Sequence, residues 1–133
     1  LKPGSQPLAK TSDLPRRLAK DFGTFENWRK NFTEVGKMRG VGWAITYLDP
    51  ATQRLINLWV SDHEIGHVAG FIPIVVMDVW EHAFDLDYGV GADGRAQYID
   101  AYFRNLDWTS IEDRLKMADE SKIRSRGLEA LVA

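Results

Sequence analysis

Apolar residues near the start of the chain recur three or four positions apart, which is the period of an amphipathic helix. A first helix is predicted from Ser12 or Asp13, either of which can cap it, to about Asp21, and Gly23 then breaks the pattern. Thr24 can cap a second helix. The apolar positions of this second helix share one side: Phe25, Trp28, Phe32 and Val35.

The middle of the chain changes to the shorter periods that are typical of β-strands. An apolar run from Trp43 to Leu48 follows a glycine-rich segment, and Asp49-Pro50-Ala51-Thr52 is a turn signal. Residues 54–60 alternate roughly between apolar and polar, so 43–60 is predicted to be a β-hairpin. The continuous apolar run at 71–77 predicts a third strand, buried on both faces.

Helical signals return after this third strand. Asp78 can cap a helix to about Leu86, and residues 93–106 predict another. A last helix, capped by Thr109, is predicted to end near Ala118, with a solvated charged face at 112–116. The fold class is therefore α+β, a small three-stranded antiparallel sheet flanked by helices. We expect residues 1–11 to be a linker, 12–118 the domain and 119–133 a loosely ordered tail.

The composition of the chain argues against several classes of function. The chain has 133 residues and a formal net charge of −2, which argues against nucleic-acid and membrane partners. It contains no cysteine, so thiolate metal sites, disulfides and cysteine nucleophiles are excluded. This fits a reducing compartment, the cytoplasm or a mitochondrial matrix. Five tryptophans predict a packed aromatic core or an aromatic-lined pocket.

The most informative chemistry lies just after the third predicted strand. Asp78 and His82 are four residues apart, so on a helix that begins at Asp78 they lie one turn apart and can face one point. A carboxylate oxygen and an imidazole nitrogen that converge in this way make half of an iron- or manganese-type site. The alternative is structural, because Asp78 and Glu81 also fit a capping box, which needs no metal.

A second motif points to different chemistry. His63-Glu64-Ile65-Gly66-His67 matches the zinc metallohydrolase pattern, in which the histidines bind zinc and the glutamate is the general base. That pattern needs a helix, whereas Gly66 and Gly70 weaken one and the segment lies between two predicted strands. His67 is more simply interpreted as a loop residue near the mouth of a pocket.

Six separated motifs, in order from about Leu14 to Arg114, resemble the C-terminal domain of the iron/manganese superoxide dismutases. They are Asp21-Phe22-Gly23-Thr24-Phe25-Glu26, Gly40-Val41-Gly42-Trp43-Ala44, Asp62-His63, Pro73 with Asp78-Val79-Trp80-Glu81-His82-Ala83, Tyr98-Ile99, and Asn105-Leu106-Asp107-Trp108. The resemblance implies disproportionation of superoxide to oxygen and hydrogen peroxide, with one iron or manganese per subunit of a homodimer.

The resemblance also implies roles for individual residues. Asp78 and His82 correspond to metal ligands, and Trp43 and Trp80 to tryptophans that line the metal pocket. His63 corresponds to an outer residue that hydrogen-bonds to metal-bound water. Glu81 corresponds to the residue that reaches across the dimer to the ligand histidine of the other subunit.

Two departures from the family pattern affect this interpretation. The family takes two further histidine ligands from an N-terminal helical domain, and the only other histidines here are His63 and His67. We expect an N-terminal segment or another chain to supply them; otherwise the protein is a catalytically inactive structural or interaction subunit. Asp85 stands where many members carry a tyrosine, which changes the local field for an anionic substrate.

Overall fold

The computed structural model describes residues 8–9, 12–38, 42–61, 70–79 and 92–119. Within these ranges four helices and a three-stranded antiparallel sheet form, which confirms the predicted α+β class. None of the helices in these ranges is long and apolar enough to cross a membrane. In chain order the elements are α1 (Asp13–Phe22), α2 (Phe25–Gly36), β1 (Trp43–Leu48), β2 (Leu55–Val60), β3 (Ile72–Asp78), α3 (Ala92–Arg104) and α4 (residues 108–119).

Local capping hydrogen bonds explain where α2 and α4 begin, whereas Ser12, the N-cap residue of α1, makes no side-chain capping hydrogen bond. The Thr24 hydroxyl accepts the Asn27 N–H at 3.0 Å, as predicted for the start of α2. The predicted cap of α4 is wrong by two residues. Asp107, not Thr109, accepts the Ser110 N–H at 3.2 Å and the Ser110 hydroxyl at 2.7 Å, because a carboxylate placed one residue before the helix reaches both donors.

The predicted hairpin is confirmed. β1 and β2 pair antiparallel from Trp43↔Val60 to Leu48↔Leu55. The Asp49 carboxylate stabilises the turn between them, because it accepts hydrogen bonds from the Ala51 N–H at 2.9 Å and the Thr52 hydroxyl at 3.0 Å.

The larger hydrophobic core lies between the helices and one face of the sheet. All four helices contribute to it, and Trp28 of α2 is at its centre. The Trp28 ring centroid lies 5.5 Å from Phe32, 5.9 Å from Phe103 and 6.1 Å from Trp108. The Trp28 indole N–H donates to the Thr46 hydroxyl at 3.0 Å, which satisfies two buried polar groups at once. The predicted aromatic core is present.

The prediction that the third strand is buried on both faces is wrong. The strand order is β2-β1-β3, so β3 is at the edge of the sheet and β1 is central. Val75 and Met77 are buried against the helices, whereas Val76 and Asp78 on the opposite face are only partly buried. The apolar run arises because that opposite face has its own smaller cluster, formed by Ile45, Tyr47 and Val60 with Val76 packed against it.

Candidate metal centre

Asp78 is the last residue of β3 and lies directly opposite Trp43 across the sheet. The ladder continues one residue further, where the Val79 N–H donates to the Gly42 carbonyl at 2.9 Å. In an antiparallel pair this makes Trp43 and Asp78 the non-hydrogen-bonded partners, whose Cβ atoms are typically about 5 Å apart on one face. The structure therefore brings together the predicted carboxylate ligand and one predicted pocket tryptophan.

Both residues border an open cleft of about 450 Å³ between β3 and the two C-terminal helices. Trp43 and Asp78 contribute one part of the lining. Helices α3 and α4, with the cap residue Asp107 just before α4, contribute a polar wall opposite β3 that also includes Tyr98, Ser110 and Arg114. The cleft is accordingly lined by carboxylates, phenols and a guanidinium as well as by apolar groups.

Two side chains of that wall bind the outer edge of β3. The Tyr102 hydroxyl donates to the Val76 carbonyl at 2.6 Å, and the Arg114 guanidinium donates to the Ile74 carbonyl at 2.8 Å. Tyr102 is only 6% exposed, and burial raises its pKa above the ordinary value, with a further rise from Tyr98 and a smaller opposing effect of Arg114. The phenol therefore stays protonated and remains a hydrogen-bond donor.

Sequence reasoning missed the roles of these two residues. Arg114 falls within the charged face predicted at 112–116, and Tyr102 lies within the helix predicted over 93–106. The available signal was that Asp107, Ser110 and Arg114 recur three and four residues apart and so share one side of α4. That side borders the cleft and is exposed at Ser110 and Arg114, as predicted for a solvated face, while the Arg114 guanidinium also reaches β3.

The remaining predicted site residues lie outside the described residues. These are His63, Trp80, Glu81 and His82, together with Asp85 and the Glu64 and His67 of the alternative zinc motif. In the part of the chain that the structure describes, no group of three or more histidine, cysteine, aspartate or glutamate side chains could hold a metal ion. The sequence offers Asp78 and His82 as donors. A carboxylate oxygen and an imidazole nitrogen are ligands that iron and manganese accept, but two donors are too few for a complete site.

Comparison with known proteins gives a consistent result. The family model for the C-terminal domain of iron/manganese superoxide dismutases matches residues 10–114. The chain is 40% identical to a manganese superoxide dismutase of Halobacterium salinarum over 108 residues, which cover 81% of this chain and 50% of that protein.

Two further relatives differ in their metal. The chain is 36% identical to a manganese/iron superoxide dismutase of Aeropyrum pernix over 118 residues, which cover 88% of this chain and 52% of that protein. It is 34% identical to an iron superoxide dismutase of Pyrobaculum aerophilum over 123 residues, which cover 92% and 56% respectively. The chain thus spans about half the length of the curated relatives it matches.

Proposed function

The chain belongs to the iron/manganese superoxide dismutase family, and we propose that it is the C-terminal half of an enzyme that disproportionates superoxide to oxygen and hydrogen peroxide. The observation that carries the proposal is the cross-strand pair of Trp43 and Asp78 at a cleft, in a chain that the family model matches over residues 10–114. A carboxylate beside an indole at a strand end combines a metal donor with a group that limits access of water.

Asp78 and His82 would hold the metal. Their carboxylate oxygen and imidazole nitrogen suit iron and manganese equally, in line with the manganese, iron and manganese/iron names of the relatives. Two protein donors leave the coordination incomplete, so two further histidines would come from a preceding segment or from another chain. When bound, the metal would supply one-electron redox chemistry, taking an electron from one superoxide and giving it to the next.

The other residues of this chain would control protons and access. Two superoxide anions and two protons yield one oxygen and one hydrogen peroxide, so each turnover requires proton delivery. His63 would hold and return a proton near the metal, and Trp43 and Trp80 would exclude bulk water from the site. Glu81 would accept the free ring N–H of the ligand histidine in a second copy, which fixes that imidazole and joins the two subunits.

The test provides an N-terminal half as a separate chain. This chain is mixed with the separately produced N-terminal half of the Halobacterium salinarum relative, loaded with manganese, and assayed for superoxide consumption. We expect activity only when both halves are present, and loss of that activity in Asp78→Asn. The matched control is Asp100→Asn, an exposed carboxylate on α3, which leaves the activity unchanged.

A mixture that consumes superoxide no faster than the N-terminal half alone would contradict an enzymatic role. That outcome would favour a structural or interaction subunit without catalysis. Peptide hydrolysis that depends on Glu64 and zinc would instead favour the metallohydrolase motif at 63–67.

A further inference from the structure

The outer edge of β3 has its main-chain carbonyls bound by side chains. Because the Val79 N–H pairs with the Gly42 carbonyl, alternation along β3 directs the main-chain groups of Val76 and Asp78 away from β1. A strand at the edge of a sheet usually leaves such groups to water. Here Tyr102 binds the Val76 carbonyl at 2.6 Å and Arg114 binds the Ile74 carbonyl at 2.8 Å.

These two hydrogen bonds lie where the inner ladder is irregular. The register of β1 with β3 shifts between Thr46 and Tyr47, opposite Val75 and Pro73. The register passes from Val75 directly to Pro73, so Ile74 is the extra residue of a bulge, and Pro73 is tolerated because β3 is an edge strand. Regular pairing resumes at Val75 and continues to Asp78. The two side chains bind the strand directly beside this irregularity, at Ile74 and Val76.

We propose that Tyr102 and Arg114 are positioning residues: they fix the backbone of β3 just before its last residue and so set the direction of the Asp78 carboxylate. The proposal rests on the proposed function, in which Asp78 is a metal ligand. Tyr102 binds β3 at Val76, two residues before Asp78, and Arg114 binds it at Ile74, four residues before Asp78. Both therefore act on Asp78 through the strand backbone. Removal of groups that orient a ligand typically weakens metal binding by about 10–100-fold.

The experiment is a Mn²⁺ titration of the full 133-residue chain mixed with the N-terminal half of the Halobacterium salinarum relative, followed by the electron paramagnetic resonance signal of free Mn²⁺. Tyr102→Phe keeps the ring and removes the hydroxyl, and we expect binding about tenfold weaker than in the wild type. Arg114→Gln removes the guanidinium from a side chain on the exposed side of α4, and we expect a smaller loss because Ile74 is farther from Asp78. If Tyr102→Phe fails to fold, Arg114→Gln decides the question.

Two controls separate the possible explanations. Thr24→Ala removes the hydroxyl that accepts the Asn27 N–H, so it destabilises the fold at the exposed start of α2 rather than in β1 or β3. Its Mn²⁺ affinity should stay within about twofold of the wild type, since separate sites act independently. Asp78→Asn reports on the ligand itself and should abolish the binding.

The outcomes distinguish the positioning role of Tyr102 and Arg114 from the ligand role of Asp78. If Tyr102→Phe and Arg114→Gln bind Mn²⁺ like the wild type while Asp78→Asn does not, the positioning role is overturned and the ligand role stands. A loss in Thr24→Ala equal to that in Tyr102→Phe also overturns positioning, because general destabilisation would then explain both. If Asp78→Asn binds like the wild type, Asp78 is not a ligand and both claims fail.

Discussion

A methyl group added at Gly42 should destabilise the sheet next to the Trp43–Asp78 pair of the candidate site. Gly42 is buried directly before Trp43, and its carbonyl accepts the Val79 N–H that follows Asp78. A Cβ atom placed there would overlap the Val60 carbonyl oxygen and would lie 3.1 Å from the Ser61 Cα. Both obstacles are backbone atoms of the chain at and just after β2, so no side-chain rotation can relieve the overlap.

The expected cost of Gly42→Ala follows from that geometry. Overpacking in a well-packed interior typically costs about 1–3 kcal/mol. Because the obstacle at Gly42 is backbone, relief requires β1 to separate from β2 at the Trp43↔Val60 pair, so we expect a loss of about 3 kcal/mol in the free energy of unfolding. Gly42 does not have a positive φ, so its own conformation adds no penalty.

Urea unfolding followed by tryptophan fluorescence measures the effect, with Gly36→Ala as the matched control. A Cβ at Gly36 would also be crowded, but by the ends of the Met77 and Ile99 side chains, which can move. Alanine is favoured over glycine in a helix by about 1 kcal/mol, so the control should lie within about 1 kcal/mol of the wild type. If Gly42→Ala were as stable as Gly36→Ala, the close approach of the strands at Gly42 would be refuted.

Three further predictions concern the core, the cleft and the assembly. Thr46→Val leaves the Trp28 indole N–H and the Asn57 side chain without their buried partner. Urea unfolding should show a loss of about 1–3 kcal/mol in the free energy of unfolding. An unchanged urea midpoint would mean that these hydrogen bonds do not stabilise the core. Burial raises the pKa of Tyr102 above its ordinary value of 10.0. Above about pH 10 the phenol therefore ionises in the unfolded chain but not in the folded one. The stability that Tyr102 contributes is complete below that pH and is lost as the pH rises further. Wild type should therefore lose more stability than Tyr102→Phe between about pH 9 and 11, and parallel losses would contradict that reasoning. Glu81→Ala should weaken a dimer, as measured by sedimentation at several concentrations, whereas an unchanged profile would count against Glu81 as a bridge between subunits.

Much of the fold could be predicted because its signals are local. Thr24 places its hydroxyl within reach of the Asn27 N–H whatever the rest of the chain does, and Asp49 stabilises its own turn in the same way. The burial of the third strand was mispredicted because burial depends on strand order. An apolar run does not reveal whether a strand is central or at an edge, and here Trp43–Leu48 occupies the centre instead.

The site could be predicted less completely, for the same reason. The sequence placed Asp78 and Trp43 in one pocket only through a family resemblance, and the pairing of β1 with β3 supplies the physical reason. The spacing of Arg114 and the local charge pattern predict that it is exposed on one side of α4, which is correct. Its contact with the Ile74 carbonyl could not be predicted, because that contact depends on how α4 packs along the edge of β3.

The decisive measurement is the transition-metal content of this chain co-purified with the N-terminal half of the Halobacterium salinarum relative. If Asp78 and His82 hold the metal, elemental analysis should find about one iron or manganese per chain, and both Asp78→Asn and His82→Ala should lose it while their helical circular dichroism is retained. Metal content that is unchanged in those variants would contradict a role of Asp78 and His82 as ligands, and so would stoichiometric zinc that disappears in His63→Ala.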